Sequence, residues 1–332
     1  MFPNYKWNAD LYTIFFEVCL KNFLQKEGVL SFITPRFFLF NQNCYALRKY
    51  FLENLEILNF TECNPFDAVT ENEISILKKQ RSSENSIKVY KHENNEIVFF
   101  NKIDKKNIKS NKYLEINPSL NNDVFKLLTK IESEKRQLSE IATSKRGAEI
   151  GKKDLKETKT GAPILLGYDV DKYYCEHTGA KIEINHKEYI RLQKYFKTHN
   201  LLLLRRVSKN LMATVSPEKT AFSKNLYGFI SSELSPFYLV ALLNSKVLNF
   251  YYKKKFSTKK EDVFPEIQTY LYEQLPIATP TEENAKKIID LVIKIISSSE
   301  SKINHVLEEK INNLVYKVYE LDAQDIKIIN EF

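Results

Sequence analysis

The residues in this sequence best suited to chemistry are basic, and they come in clusters. Lys145-Arg146 and Lys152-Lys153 share a short segment punctuated by Gly147 and Gly151. Arg205-Arg206 closes the apolar run LLLL, with Lys209 just beyond, and Lys253-Lys254-Lys255 precedes Lys259-Lys260. Lysine and arginine in such groups suit phosphate contacts, and arginine can also fork onto guanine O6 and N7. Lys145, Arg146, Lys152, Lys153, Arg205, Arg206 and Lys209 are therefore the candidate DNA-binding residues. The same clusters have plainer readings: a solvated surface, an interdomain ion pair at Arg205-Arg206, or, for the Lys triplet, cations at a helix C-terminus. Tyr168, Tyr173, Tyr174 and Tyr227 are aromatic groups that could pack on sugars or bases, or simply fill a core.

Catalytic groupings are thinner. Cys175-Glu176-His177 is metal-like in type, but no companion stands at ligand spacing. The five histidines, His92, His177, His186, His199 and His305, form no HxxxH or HExxH pair, so no metal site is expected. Glu183-Ile184-Asn185-His186-Lys187 offers a carboxylate and a lysine of the kind a nuclease gathers around Mg²⁺, in one isolated run. GxSxG, P-loop and GxGxxG patterns are absent. With 7 glycines in 332 residues, the chain is also a poor source of Gly-rich phosphate loops.

The elements that must position these residues follow from hydrophobic periodicity. Residues 9–26 have helical spacing through Leu11, Ile14, Phe15, Val18 and Phe23, and Gly28 punctuates the end. Gly28–Pro35 reads as a buried strand, residues 36–53 as helical, and Leu55–Phe60 and Glu73–Leu77 as strands. Ile87–Tyr90 and Ile97–Phe100 are candidate edge strands in a polar region, and residues 117–136 contain a turn and a connecting helix. A boundary is expected near Glu134 to Leu138. Beyond it, ILLGYDV and the stretch from Asn200 to Ile230 supply strands. SPFYLVALLNSKVLNFYYKKKF reads as one strong helix capped by Ser235, with Pro236 in its first turn. From Glu282 come two amphipathic helices and a final short one capped by Asp322.

The net charge is +8, and its distribution is informative. Between Leu138 and Ala278 stand 23 Lys/Arg against 15 Asp/Glu, which accounts for the entire excess. A polyanionic partner is one reading and a Lys-rich surface the other. Cys19, Cys44, Cys63 and Cys175 form no CxxC pair and read as reduced thiols. No signal-peptide pattern opens the chain, and no apolar run approaches the ~20 residues of a membrane span. A cytoplasmic protein with no membrane association is expected.

Taken in order, these segments resemble the Taq-type adenine-N6 DNA methyltransferases and the larger type IIG restriction-modification and BREX methylases. NADLYTIFFEVCLKNFLQKEGVLSFITPRFF is similar to the helix and strand that follow the family's catalytic motif. YALRKYFLENLEILNF and NPFDAVTENEISILKK look like later strands of that domain. LSEIATSKRGAEIGKKDL resembles the opening of the target-recognition domain. PFYLVALLNSKVLNFYYKKKF with FPEIQTYLYEQLPI resembles its helix and closing Leu-Pro-Ile, and INNLVYKVYELDAQDIKII its terminal helices.

The resemblance implies an α/β fold, a partial Rossmann-like methyltransferase sheet, followed by an α+β target-recognition domain and C-terminal helices. The expected limits are 1–134, 138–278 and 279–332. It implies sequence-specific recognition of double-stranded DNA within a site-specific adenine methyltransferase. Complete enzymes of this kind hold S-adenosylmethionine in a Gly-rich loop and catalyse with an Asn/Asp-Pro-Pro-Tyr/Phe tetrapeptide. Met1 to Asn8 leave no room for either. The chain is therefore expected to lack the cofactor-binding half, to bind no cofactor alone, and to depend on a separate polypeptide for that half. Asn64-Pro65-Phe66-Asp67 has one proline where the motif needs two. The family instead implies a base-stacking role for Phe66, in the later loop that packs on an extruded adenine; a buried loop phenylalanine is the plain alternative. No cleavage is expected, because type IIG nucleases lie at the opposite end of the chain. Two other readings stand beside this one: a stand-alone specificity subunit like those of type I systems, or a helical scaffold built on residues 282–332.

Overall fold

A computed structural model describes residues 10–64, 71–110, 113–118, 120–151, 155, 160–216, 220–256, 269–298 and 301–332. The chain forms two units, residues 1–129 and 130–332. The class is mixed α/β, with several sheets followed by C-terminal helices, as anticipated.

In unit 1, α1 (Leu11–Val18) runs into a π-helical turn, Cys19–Phe23, before β1 (Val29–Pro35). After two short 3₁₀ turns come α2 (Tyr45–Asn54), β2 (Glu56–Cys63) and β3 (Asn72–Lys78). A hairpin of β4 (Ser86–Glu93) and β5 (Glu96–Asp104) and the short α3 (Lys105–Ser110) follow. The five strands make one sheet in the order β1-β3-β2-β4-β5, and only the β2–β4 pair is parallel. The five strand segments read from the sequence are all present, but two are placed otherwise than expected: Gly28–Pro35, read as buried, forms a largely exposed end strand, and Ile87–Tyr90, read as an edge, lies between β2 and β5. One sheet face carries the core: Phe32, Ile57, Phe60, Leu77 and Val89 pack with Phe16 from α1, Leu20 from the π-helical turn, and Leu47 and Phe51 from α2. The expected long helix over 36–53 is shorter because Arg48 draws the preceding segment into a tight turn. This fully buried arginine donates to the carbonyls of Phe38 (2.6 Å), Asn41 (2.7 Å), Leu114 (3.0 Å) and Tyr113 (2.8 Å). Burial lowers its pKa to about 10.

The sequence of α4 (Asn122–Glu132) contains the boundary between the units; in unit 2, β6 (Arg136–Gln137) leads to α5 (Leu138–Ile141) and β7 (Ala142–Arg146). Next come β8 (Ala162–Leu165), β9 (Val170–Asp171), β10 (Tyr174–Cys175), β11 (Lys181–Ile182) and α6 (Lys187–Phe196). The strands β12 (Leu201–Arg205), β13 (Ala213–Ser216), β14 (Ala221–Phe222) and β15 (Leu226–Ser231) complete the body. The main sheet has the order β13-β12-β15-β7, and a smaller one β11-β8-β14. Between the two lies a core containing Ile164, Phe196, Leu203 and Phe222. Gly228 makes this packing possible: a Cβ there would stand 2.5 Å from the Phe222 ring.

The single helix expected from Pro236 onward is two, α7 (Pro236–Asn244) and α8 (Lys246–Phe256). Ser245 takes an extended ψ of 155°, and buried amides fix the break. Asn244 donates to the Ala213 carbonyl and accepts from its amide, both at 2.8 Å. Asn312 accepts from the Lys246 amide at 2.9 Å, capping the second helix. Ser235 precedes Pro236 as expected, but its side chain makes no capping bond. A short α9 (Thr269–Tyr272) leads to β16 (Pro276–Ile277). β16 pairs with β6, so Leu275-Pro276-Ile277 closes against the opening of the unit. The final helices are α10 (Glu282–Ser297), α11 (Ser301–Val318) and α12 (Ala323–Asn330). α10 packs on α7 and α11, and α12 on α8. Asp322 caps α12 as expected, accepting from Gln324 and Asp325. No helix among the described residues is long and apolar enough to cross a membrane.

Candidate nucleic-acid interface

The basic candidates of unit 2 converge because of strand register. β15 lies between β7 and β12, with Tyr227 opposite both Arg146 and Leu204, and Leu226 opposite Arg205. The ends of β7 and β12 that carry Arg146 and Arg205 thus lie together, their backbones about 10 Å apart across one intervening strand. Lys145 and Arg205 leave the sheet on one face and Arg146 on the other, by the period of the pleat. Lys145, Arg146 and Lys209 are exposed, and Arg205 and Arg206 are half-buried.

Beyond β7 the chain turns tightly. A Cβ on Gly147 would stand 2.2 Å from the Ser223 carbonyl, so glycine alone fits there. Arg146 Nε donates to the Lys224 carbonyl at 3.2 Å, which holds its guanidinium at the surface. Arg205 is placed differently. Its Nε donates to the Val207 carbonyl at 3.1 Å and its Nη1 to the Val170 carbonyl at 3.4 Å. It thereby ties the end of β12 to the segment carrying β9. That segment presents Tyr168 at 66% and Tyr174 at 55% exposure. Tyr173 and Tyr227 are buried instead, Tyr227 edge-on to Tyr272 at 4.7 Å, so they belong to the core. Lys152, Lys153 and Phe66 lie outside the described residues.

The triplets with catalytic overtones are occupied structurally. The His177 ring stands 2.6 Å from the Ala180 carbonyl, and burial pushes the Cys175 thiol up to about 11. His186 accepts from the Glu188 amide and caps α6. Glu188 itself receives Arg191 and the Glu149 amide; the Arg191 bond, above all, holds its carboxyl below the usual range. Among the described residues, no group of three His, Cys, Asp or Glu side chains is placed to hold a metal. In the Lys triplet, Lys255 pairs with Glu132 at 3.0 Å and Lys254 lies 4.1 Å from the Phe332 ring centroid. The residues of unit 1 do not fit a nucleotide-cofactor loop. Its one glycine, Gly28, is used in the turn before β1, with its amide donating to the Gln25 carbonyl at 3.0 Å.

Two family models match the sequence. Residues 2–68 match the Eco57I restriction-modification methylase, and residues 162–277 match the TaqI-like C-terminal specificity domain. A putative type II restriction enzyme and methyltransferase of Methanocaldococcus jannaschii is 26% identical over 348 residues. The match takes in 93% of this chain and 28% of that protein, so the chain spans less than a third of the relative's length. Among solved structures, the type IIL restriction-modification enzyme MmeI in complex with DNA shares the fold. Its TM-score is 0.61 at 13% identity, over 99% of this chain and 53% of that one. In sequence, the chain resembles part of a type II restriction-modification methyltransferase: a methylase segment followed by a TaqI-like specificity domain.

Proposed function

We propose that this chain supplies sequence-specific recognition of duplex DNA to a site-specific adenine-N6 methyltransferase of the type II restriction-modification kind. Residues 138–278 form the recognition domain, 1–134 a partial methyltransferase domain, and 279–332 a helical segment. The observation that carries the reading is the specificity-domain match over 162–277, with basic residues gathered at one end of the β7-β15-β12 layer. Phosphate contacts orient a protein on DNA, and base-edge contacts choose the sequence. Lys145, Arg146, Lys152, Lys153, Arg206 and Lys209 are assigned to phosphates. Tyr168 and Tyr174 are assigned to sugars or base edges. Arg205 positions the tyrosine-bearing segment, and the carbonyls it already holds make it a bracket as much as a contact. Phe66 stacks on the extruded adenine. The complete enzyme uses S-adenosylmethionine.

A salt series of duplex binding tests this. Each phosphate contact contributes close to 0.9 to the slope of log K against log salt. Lys145→Ala/Arg146→Ala should flatten the slope by about 2 without changing sequence preference. Absence of duplex binding at low salt, or a slope unmoved by the double substitution, would refute the assignment.

A further inference from the structure

One cavity in unit 1 gathers cations that none of the roles assigned above uses. Its volume is about 590 Å³, within the range of small-molecule sites. Lys49 comes to it from α2, Arg81 from the segment between β3 and β4, and Lys109 from α3. Three elements thus send basic side chains to one place, against a single carboxylate, Glu53, among the described residues of its walls. Arg81 and Lys109 pair with no carboxylate among those residues, and Lys49 reaches only Glu53, at 3.9 Å. Lys105, buried one helical turn from Lys109, feels the same excess. Burial first, and then the charge of Lys109, lower its amine below the ordinary value, against the pull of Glu56 and Glu84.

The rest of the cavity suits a body with an apolar face. Tyr45, Leu52 and Leu114 line it, all half-buried. Leu114 stands at φ 51°, in the left-handed region that leucine rarely enters. Arg48 holds it there, donating to the Leu114 carbonyl at 3.0 Å and to that of Tyr113 at 2.8 Å. This wall is therefore fixed before any ligand arrives, which lowers the entropy lost on binding. The Ser82 hydroxyl accepts from the Glu84 amide at 3.1 Å, so its own proton is left for an acceptor in the cavity.

The cavity is also remote from the loop that carries Phe66. Cys63 pairs with Asn72 beside the 64–71 connection, and Glu56 pairs with Lys78 at the other end of the same two strands. Asn54, Arg81 and Ser82 adjoin that other end. At the ordinary rise per strand residue the two ends are roughly 20 Å apart. An adenine stacked on Phe66 is thus a full strand length away and does not fill this space.

We propose that the cavity binds a nucleoside phosphate. Lys49, Arg81 and Lys109, with the Ser82 hydroxyl, hold the phosphates, because lysine and arginine supply charge-assisted donors to phosphate oxygens. Tyr45, Leu52 and Leu114 receive the base. The site shares no residue with the DNA contacts assigned to unit 2 and lies apart from Phe66, so it stands independently of the DNA-recognition reading.

The test titrates the full chain with ADP, adenosine and orthophosphate by isothermal calorimetry. ADP should bind one-to-one with a dissociation constant below about 1 mM. Adenosine and orthophosphate should each bind at least tenfold more weakly, since each offers only part of the contacts. Arg81→Gln/Lys109→Gln changes two exposed side chains and should weaken ADP at least tenfold, with the thermal midpoint of the free protein unchanged. Arg81→Lys/Lys109→Arg keeps both charges and should restore most of the affinity, which separates lost attraction from lost structure. Tyr45→Leu should weaken ADP several-fold and leave orthophosphate unchanged. All three variants should bind duplex DNA as the parent does, so failure here and failure of DNA recognition give separate signals. No binding of ADP at millimolar concentration, or binding indifferent to Arg81→Gln/Lys109→Gln, would overturn the proposal. Orthophosphate binding as tightly as ADP would do so too, leaving a simple anion as the occupant. So would displacement of ADP by duplex DNA together with a lower salt slope in the Gln variant, since the phosphates would then be those of DNA.

Discussion

The sheet of unit 1 and the main sheet of unit 2 use similar strands to opposite ends. In β12, β13 and the first four residues of β15, every side chain but that of Arg205 is buried, because α7, α6 and the smaller sheet cover both faces. In β1 only Thr34 is buried, and in β5 only Ile103. The central strands of unit 2 bury their apolar residues on both faces, whereas the α1–β1 side of unit 1 displays Leu11, Phe15, Phe23, Val29 and Ile33. Among buried polar groups the difference is one of charge: in unit 2 the buried side-chain atoms without a hydrogen-bond partner, on Thr214, Ser223 and Asn304 among others, are neutral. Asn244 and Asn312 in unit 2 have partners, but Glu73 in unit 1 is fully buried with neither carboxyl oxygen hydrogen-bonded. The first unit therefore carries buried charge, on Arg48 and Glu73, where the second buries the neutral amides of Asn244 and Asn312.

Arg48 is the sharpest of these. Arg48→Met should destabilise unit 1 by about 3–5 kcal/mol, because several buried carbonyls lose their donor at once. Site-resolved amide exchange would show the loss across β1–β5 and little change in β12–β15. Uniform destabilisation of both units would break the comparison.

Glu73 gives the contrast a pH dependence. Burial is the main cause that raises its carboxyl to about 8, against an opposing pull from Arg36. A carboxyl raised on folding binds its proton more tightly in the folded state. It imposes no penalty below the ordinary range near 4.5, and stability falls as pH rises from there to about 8. Unit 1 should lose a few kcal/mol across that window. Glu73→Gln should flatten the profile, and unit 2 amides should not follow it. A wild-type profile that is flat between pH 5 and 8 would remove Glu73 as the cause.

Much of this architecture was legible in the sequence. The five strands of unit 1 and the Asp322 cap follow from period and turn chemistry. The break at Ser245 did not, because VALLNSKVLNF keeps helical spacing on both sides of it, and the cause is tertiary: Asn244 reaches Ala213, 31 residues away. Arg48 could have been found. It stands on the apolar stripe of Cys44, Leu47, Phe51 and Leu55, and an arginine on a buried stripe must be spending its donors on something. The basic cluster was visible as composition, but its convergence depends on β15 being threaded between β7 and β12. No local pattern encodes that pairing. The division of labour within Arg205-Arg206 was equally hidden, since both residues read alike until Val170 is seen to face one of them.

The smallest effect separates bracket from contact in unit 2. If Arg205 acts chiefly by holding the Val170 and Val207 carbonyls, then Arg205→Lys keeps the charge and loses the forked geometry. The salt slope should then stay within about 0.3 of the parent, since the count of neutralised phosphates is unchanged. Preference for the cognate duplex over a random one should fall several-fold, because the segment presenting Tyr168 and Tyr174 is no longer fixed. Lys145→Gln should show the reverse pattern, with the slope lower by about 1 and preference intact. Competition titrations at two salt concentrations read both quantities for each variant. Were the two substitutions to move slope and preference together, the recognition unit would lack the split between positioning and reading that its strand order supports.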